Sequence, residues 1–340
     1  MNDFLSTYLN TPLQIRDKTI PVRLMLAPMT MLGNVAFREL VAGYGGCGIL
    51  SMEMVSAKNL PCENEKTSPC FRWRKEEMPQ LICQIFGNDP DMMKNAAQRI
   101  AGEGLFGVDI NFGCSVSAIC NKKCGAAVLK DPDHAVKIVT AVRKAIDIPL
   151  FVKFRTGWKD DPDYAVRLAR RFEDAGADAL TFHPRVAPDR RSRPPKWAYI
   201  GMVKKAVSIP VFGNGNVFSK DDCFKLIKET GCDGVAIARM AVVKPWFFSM
   251  LSLNRTYEDD IYYKCAIMLY DLLLKHFDSN RARNRFKKFI NYYAANFLYG
   301  HELSRKIKNE DNLEAAISHV HDFFKDTPQI VSRPNLNFLT

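Results

Sequence analysis

Three observations predict an α/β chain, a TIM (β/α)8 barrel followed by a C-terminal all-α helical domain. Across residues 24–238, eight short apolar runs alternate with amphipathic segments, as parallel strands alternate with helices. After the first run stands Ala27-Pro28-Met29-Thr30-Met31, which lacks the glycine-rich dinucleotide fingerprint usual after the first strand of a doubly wound sheet. Beyond Pro245-Trp246 apolar residues recur only at helical spacing.

The strands are expected at 24–28, 48–53, 81–86, 108–111, 150–154, 179–183, 211–214 and 234–238. Between them, Asp131-Pro132-Asp133 and Ser219-Lys220-Asp221-Asp222 combine a capping side chain with an acidic first turn, so each starts a helix. Asp174-Ala175-Gly176-Ala177-Asp178 and Glu229-Thr230-Gly231-Cys232-Asp233 end helices and turn into strands. The spacing of apolar residues then predicts helices at 260–276, 282–299 and 313–324, so the chain divides into a barrel domain, 1–251, and a helical domain, 252–340.

At 340 residues and 47% hydrophobic, the chain has the composition of a globular protein long enough for a barrel of about 250 residues and an extra domain. The start lacks a basic segment leading into an apolar run, and no uncharged stretch approaches the ~20 residues that span a bilayer, so a cytoplasmic protein without membrane contact is expected. The ten cysteines are scattered rather than framework-spaced and read as reduced thiols. A net charge of +11 favours a polyanionic partner. Two basic clusters carry much of it: Arg185, Arg190, Arg191, Arg193 and Lys196 in one loop, and Arg281, Arg283, Arg285, Lys287 and Lys288 among the aromatics Phe286, Phe289, Tyr292 and Tyr293. Both are read as phosphate-contacting surfaces.

A barrel of this kind does chemistry at the C-terminal ends of its strands. Those ends carry Pro28-Met29, Glu53, Gln84, Asn111 with Cys114, Lys153 with Arg155, His183 with Arg185, Asn214 with Gly215, and Ala238-Arg239. Any one of them alone reads as a structural group, but a packed interior has no need of such a succession of amides and cations at one rim. Cys114, at a strand-to-loop junction, is a candidate acid. Asn214-Gly215 and Ala238-Arg239 fall at the seventh and eighth strand ends, the usual phosphate site of a barrel. Gln84 and Lys153 suit the pyrimidine edge of a flavin, Lys153 stabilising an anionic reduced ring. Cys114, Cys120 and Cys124 have unequal gaps and no convergent histidine, which disfavours a metal site.

The segments LAPMTMLGNVAFREL, SMEMVSA, CQIFG, VDINFGCSVSAIC with CGAAVLKDP, VKFRTGW, FHPR, VFGNGNVFS and TGCDGVAIARMAVVKPWFF, in this order, resemble the flavin-dependent tRNA-dihydrouridine synthase family, and RARNRFKKFINYY resembles its RNA-binding helical domain. The resemblance implies FMN in the barrel, NADPH as its reductant, hydride delivery to the position-6 carbon of uracil, and Cys114 as the acid that protonates the position-5 carbon. It implies an FMN site at Gln84, Lys153, His183, Asn214, Gly215, Ala238 and Arg239, with Pro28 and Met29 beside the ring. Asn111, Arg155, Arg185, Arg283 and Arg285 would contact the substrate, which is tRNA, or rRNA as the alternative, and a monomer would leave a broad face open to it. A uracil in folded RNA must be extruded to reach a flavin. The chain departs from the family's GCPxxK motif, having Ser115 and Ala118 in place of the proline and lysine, and Asn216 follows GNG where an aspartate is usual. Two other readings stay open: a flavin-dependent reductase of a small pyrimidine or enone, and a catalytically impaired RNA-binding protein.

Overall fold

A computed structural model describes residues 2–187 and 193–335 of the chain. Eight strands close into a parallel barrel: β1 (Leu24–Leu26), β2 (Ile49–Ser51), β3 (Leu81–Phe86), β4 (Gly107–Phe112), β5 (Leu150–Gly157), β6 (Ala179–Val186), β7 (Val211–Asn214) and β8 (Gly234–Ile237). Each pairs with the next. The ring shuts where Val235, Ala236 and Ile237 of β8 stand opposite Leu24, Met25 and Leu26 of β1. A two-residue segment, Val55–Ser56, continues β2 along the far end of β3.

The strands lie where the apolar runs predict them, since strands buried on both faces read as nearly continuous apolar sequence. Two run further than expected. β5 extends to Gly157 and β6 to Val186, with Arg155 opposite His183 and a register irregularity before Gly157 pairs with Val186. Arg155 and Arg185 therefore stand on strands, not in loops, and polar residues at a barrel rim hide such extensions from an apolar count.

Helices after β1, β3, β4, β5, β6 and β7 are α1 (Val35–Tyr44), α2 (Pro90–Gly102), α3 (Pro132–Arg143), α4 (Pro162–Asp174), α5 (Ala198–Ala206) and α6 (Lys220–Thr230). Asp131 accepts from the His134 amide at 3.0 Å and Ser219 from that of Asp222 at 3.0 Å, the caps expected from sequence. Between β2 and β3 the barrel departs from a regular (β/α)8 pattern. There the chain makes only 3-10 turns at Leu60–Cys62 and Lys75–Gln80. Pro61, Pro69 and Pro79 interrupt this segment, and a proline inside a helix removes a hydrogen bond and clashes with the preceding turn.

Inside the ring, Met25, Ile49, Ile82, Phe151, Phe212 and neighbouring side chains form a dry cluster joined by Ile15 and Ile20 from the hairpin of Leu13–Ile15 and Lys18–Ile20. The hairpin thus plugs one end of the barrel, and the cavity described below opens at the other. A larger core wraps the outside of the strands and continues into the C-terminal helices.

Among the described residues the C-terminal segment has four α-helices: α7 (Asp260–His276), α8 (Ser279–Tyr293), α9 (Gly300–Asn309) and α10 (Leu313–Lys325). The helix expected at 282–299 in fact starts earlier, capped by Asp278 accepting from the Arg281 amide at 3.0 Å, and stops at Tyr293. The chain then turns so tightly that a Cβ on Gly300 would overlap the Ala294 carbonyl oxygen. Apolar periodicity continues across this break because α8 and α9 both bury one face in the same core.

Packing of Phe37 on Phe289, with ring centroids 6.3 Å apart, joins α1 to α8. Glu39 accepts from Lys275 at 2.8 Å and lies 2.6 Å from the His276 ring nitrogen. Arg285 is the deeper anchor. Its side chain is 7% exposed, lies 3.7 Å from the buried Glu53 carboxylate, donates to the Pro69 carbonyl at 2.8 Å and covers the Phe277 ring at 4.3 Å. Burial raises the Glu53 pKa, and Arg285 opposes the rise. Arg285→Met is expected to destabilise the fold by about 2–4 kcal/mol, because it leaves a buried carboxylate without its partner. The loss should grow as pH rises above 4.5: the variant's native state keeps the Glu53 proton to higher pH than the unfolded chain, so deprotonation favours unfolding. Urea unfolding at several pH values checks this, and an equal loss at all of them would sink it.

Candidate active site

The C-terminal rim encloses a cavity of about 730 Å³ to which every strand end contributes. Pro28 and Met29 border it after β1, Met54 after β2, Gln84 on β3, and Asn111 and Cys114 on and after β4. Opposite stand Lys153 and Arg155 of β5, His183 and Arg185 of β6, Asn214 and Gly215 after β7, and Ala238 and Arg239 after β8. Lys288 and Tyr292 of α8 close one side. Among the described residues no Asp or Glu lines it, so the cations Lys153, Arg155, Arg185, Arg239 and Lys288 make it a place for an anion.

Alternation along β4 turns Asp109 and Asn111 to the same face, beside Gln84 of β3, the register partner of Asp109. Gln84 Nε2 donates to Asp109 Oδ2 at 2.6 Å, and Asn111 Nδ2 donates to Gln84 Oε1 at 2.7 Å. Asn111 Oδ1 then accepts from the backbone amides of Gly113 at 3.1 Å and Cys114 at 2.9 Å. The loop carrying the thiol is thus tied to the strand's own side chain. Arg155 Nε donates to the Gly113 carbonyl at 2.7 Å from the other side.

The Cys114 carbonyl accepts from the Ala126 amide at 2.8 Å and from the Cys120 thiol at 3.5 Å. Burial pushes the Cys120 thiol up, which keeps it a protonated donor in this support. Gly125 sits with φ of +61° in the left-handed region, and a Cβ there would lie 2.5 Å from the Cys114 carbonyl oxygen. Gly125→Ala is therefore expected to displace the Cys114 loop and cost about tenfold or more in turnover, from strain and a displaced reacting group. Steady-state rates of the purified variant test it, and a wild-type rate would show that the loop tolerates the shift. Ser115 and Ala118, the departures from the family motif, line the same cavity.

Across the barrel, Lys153 donates to Asn214 Oδ1 at 3.4 Å, and Asn214 Nδ2 donates to the Ala236 carbonyl at 2.7 Å. Burial, reinforced by Arg155, lowers the Lys153 pKa, while burial raises that of Asp109 behind it. His183 is pushed well below its usual pKa by burial and by the surrounding Arg155, Lys153, Arg185 and Arg239, so it is neutral. Arg185 Nη1 lies 3.1 Å from His183 Nε2, and a guanidinium can only donate, so Nε2 accepts and the ring proton is assigned to Nδ1.

Gly215 has φ of +125°, and a Cβ there would meet His183 Cδ2 at 3.0 Å. Its carbonyl accepts from Trp197 Nε1 at 2.9 Å. The next residue, Asn216, joins two cations: its Oδ1 accepts from Arg185 Nη2 at 3.0 Å and from Arg239 Nη2 at 2.8 Å. Asn216 adopts φ of +55°, which asparagine tolerates better than most residues.

All the barrel residues expected from sequence at the site border this cavity, whereas Arg283 and Arg285 do not. Arg285 is buried in the pair with Glu53, and Arg283, half-buried, donates to the Asp311 carbonyl. Neither lines this opening, and Arg285 is corrected from a substrate contact to a buried structural anchor. The basic cluster does reach the site, through Lys288, with Tyr292 one turn further along α8. Composition marked the cluster, but only the rotational phase of the docked helix selects among its members. Arg190 and Arg191 of the other cluster lie outside the described residues. Glu53, at its strand end, serves the Arg285 anchor instead of the cavity.

The Dihydrouridine synthase family model matches residues 25–327. The tRNA-dihydrouridine synthase B of Pseudomonas aeruginosa is 37% identical over 235 residues, 69% of this chain and 70% of that protein. The protein of the same name from Pseudomonas putida is 30% identical over 323 residues, 93% of this chain and 95% of that protein. Among solved structures, a 2-naphthoyl-CoA reductase complex aligns with a TM-score of 0.55 at 15% identity, covering 74% of this chain and 53% of that one, a likeness of fold. The family match spans the barrel strands, the cavity they enclose and most of the helical segment, and the chain belongs to the dihydrouridine synthase family.

Proposed function

We propose that this chain reduces the C5=C6 double bond of uridine in tRNA to give dihydrouridine, with FMN as cofactor and NADPH as reductant. The observation that carries the reading is the convergence of Cys114, an acid-free cationic cavity and two residues of the helical segment on one opening. The volume, about 730 Å³, is of the size that holds a cofactor-sized ligand. The side-chain-free Gly215 beside Arg239, itself bridged to Arg185 through Asn216, suits the phosphate of FMN. Gln84, Lys153, His183 and Asn214 would hold the ring, with Pro28 and Met29 at its side and Ala238 next to Arg239.

Bound FMN, once reduced, supplies the hydride that adds to the position-6 carbon. The chain's own residues do the rest. Asn111 and Arg155 donate to the uracil carbonyls and stabilise the enolate-like charge that develops on them. The Cys114 thiol gives its proton to the position-5 carbon. Arg185 contributes to the grip on the nucleotide from β6. A base reaches this depth only after extrusion from the RNA, and the cationic rim balances the phosphates that accompany it.

The test combines purified FMN-loaded protein, NADPH and unmodified tRNA, with dihydrouridine and NADPH oxidation both measured. Turnover with tRNA well above that with free uridine is expected, and equal turnover would move the reading to a small-pyrimidine reductase. An rRNA arm decides between the two RNA classes. Lys288→Ala is expected to raise the KM for RNA by about tenfold, the effect of losing one hydrogen bond from a charged group, while FMN content stays at the wild-type level. A variant that loses flavin at unchanged KM would place Lys288 on the cofactor instead.

A further inference from the structure

We propose that Asp109 is a positioning residue, which sets the direction of an amide relay ending on the Cys114 loop. The relay runs from Asp109 through Gln84 and Asn111 to the backbone amides of Gly113 and Cys114. Its three side chains belong to residues that are 1%, 1% and 6% exposed, so water does not compete for their hydrogen bonds.

A carboxamide has nearly the same shape with its oxygen and nitrogen exchanged, so packing alone cannot orient it; its partners do. At one end, backbone N–H groups can only donate, so Asn111 must present Oδ1 to them. That leaves Nδ2 for Gln84, which must answer with Oε1 and turn Nε2 the other way. At the far end stands Asp109, whose carboxyl, in the ionised form that the Lys153 charge favours, can only accept. Both ends therefore demand the same polarity, and reversing either amide would set donor against donor or acceptor against acceptor.

The second oxygen, Asp109 Oδ1, is buried with no hydrogen-bond partner among the described residues. Burying a carboxylate is costly, and Lys153 offsets part of the cost through its charge and its backbone amide. The relay supplies the return: an Asn111 held with Oδ1 on the Cys114 amide keeps the thiol loop in place, while Nδ2 also lies 3.5 Å from the sulfur of Met54 at the cavity edge. The consequence for turnover rests on the role proposed for Cys114, but the relay can be measured apart from turnover.

Asn111→Asp puts an acceptor at both ends of Gln84 and creates an oxygen-to-oxygen contact. Adding Asp109→Asn lets every side-chain bond reverse. The amide introduced at position 109 donates to Gln84 Oε1, and Gln84 Nε2 donates to the carboxylate introduced at position 111, which still accepts from both backbone amides. The experiment compares wild type, both single variants and the double variant as full-length, FMN-loaded proteins. It reads the rate of Cys114 alkylation by iodoacetamide, located by peptide mass, and the thermal midpoint. Asn111→Asp is expected to change the alkylation rate by about tenfold or more. The double variant should return to within about threefold of wild type. If Asn111→Asp does not fold, recovery of folded protein in the double variant reads the same coupling. A double variant as impaired as Asn111→Asp, or an Asn111→Asp protein that alkylates at the wild-type rate, overturns the proposal. Absence of dihydrouridine formation in the wild type would instead overturn the proposed function and leave this comparison standing.

Discussion

Cys114→Ala is expected to lower dihydrouridine formation by about 10²–10⁴-fold, the range over which a positioned acid contributes to catalysis. The substitution removes the thiol and little else, because the loop is held through its backbone: the Cys114 amide donates to Asn111 Oδ1 and its carbonyl accepts from Ala126. FMN content and RNA affinity should therefore stay at wild-type values. The informative measurement is a single turnover with prereduced flavin, in which hydride arrival and product release are followed separately. Dihydrouridine formation at the wild-type rate would falsify the assignment. Cys120 would then be the next thiol to replace, although its Sγ is engaged with the Cys114 carbonyl at 3.5 Å.

Replacing Lys153 with methionine should cost about 10²–10³-fold in hydride transfer, comparable to removing one preorganised donor from a developing negative charge. Methionine keeps the length of the side chain without its charge, so the cavity stays filled while Asn214 loses its donor and Asp109 its nearby cation. The pH dependence gives an independent signature. Burial, with Arg155 beside it, lowers the Lys153 pKa from 10.5, and in the role proposed for Lys153 its protonated form would stabilise a reduced anionic ring. Activity that depends on this charge is present below the folded pKa and lost as pH rises through it. Followed as hydride transfer in a Cys114→Ala background, where the proposed acid contributes no titration, the alkaline limb should therefore fall below the pH of a free lysine and be missing once Lys153→Met is added. An unchanged limb in the variant would assign the titration to another group.

Much of the barrel rim could be read before any fold was known. Parallel strands covered on both sides read as nearly continuous apolar runs, so 81–86 and 211–214 stand out at their full lengths, matching β3 and β7. In such a barrel the residues at strand ends face a common opening, which is why Gln84, Asn111, Lys153 and His183, far apart in the chain, could be grouped from their positions alone. Helix starts at Asp131 and Ser219 were equally legible, because a cap is a contact over three residues.

Other features depend on contacts between distant segments and leave no local trace. The basic run in α8 resembles a single RNA-facing cluster, yet Arg285 turns inward to Glu53 while Lys288 borders the cavity. Nothing in RARNRFKKF distinguishes them; docking of Phe289 against Phe37 sets the rotation of the helix. Asn216 is one polar residue in a glycine-containing loop until Arg185 and Arg239, from two other strands, meet on its Oδ1. Asp109 similarly reads as one more residue of a buried strand, and only the neighbouring Gln84 reveals a relay. Periodicity and capping are decided by residues a few positions apart, so the sequence alone carried the barrel, its chemical rim and the place of Cys114. Helix rotation, shared hydrogen-bond acceptors and amide direction are decided by side chains brought together from different elements, and these the tertiary structure alone determined.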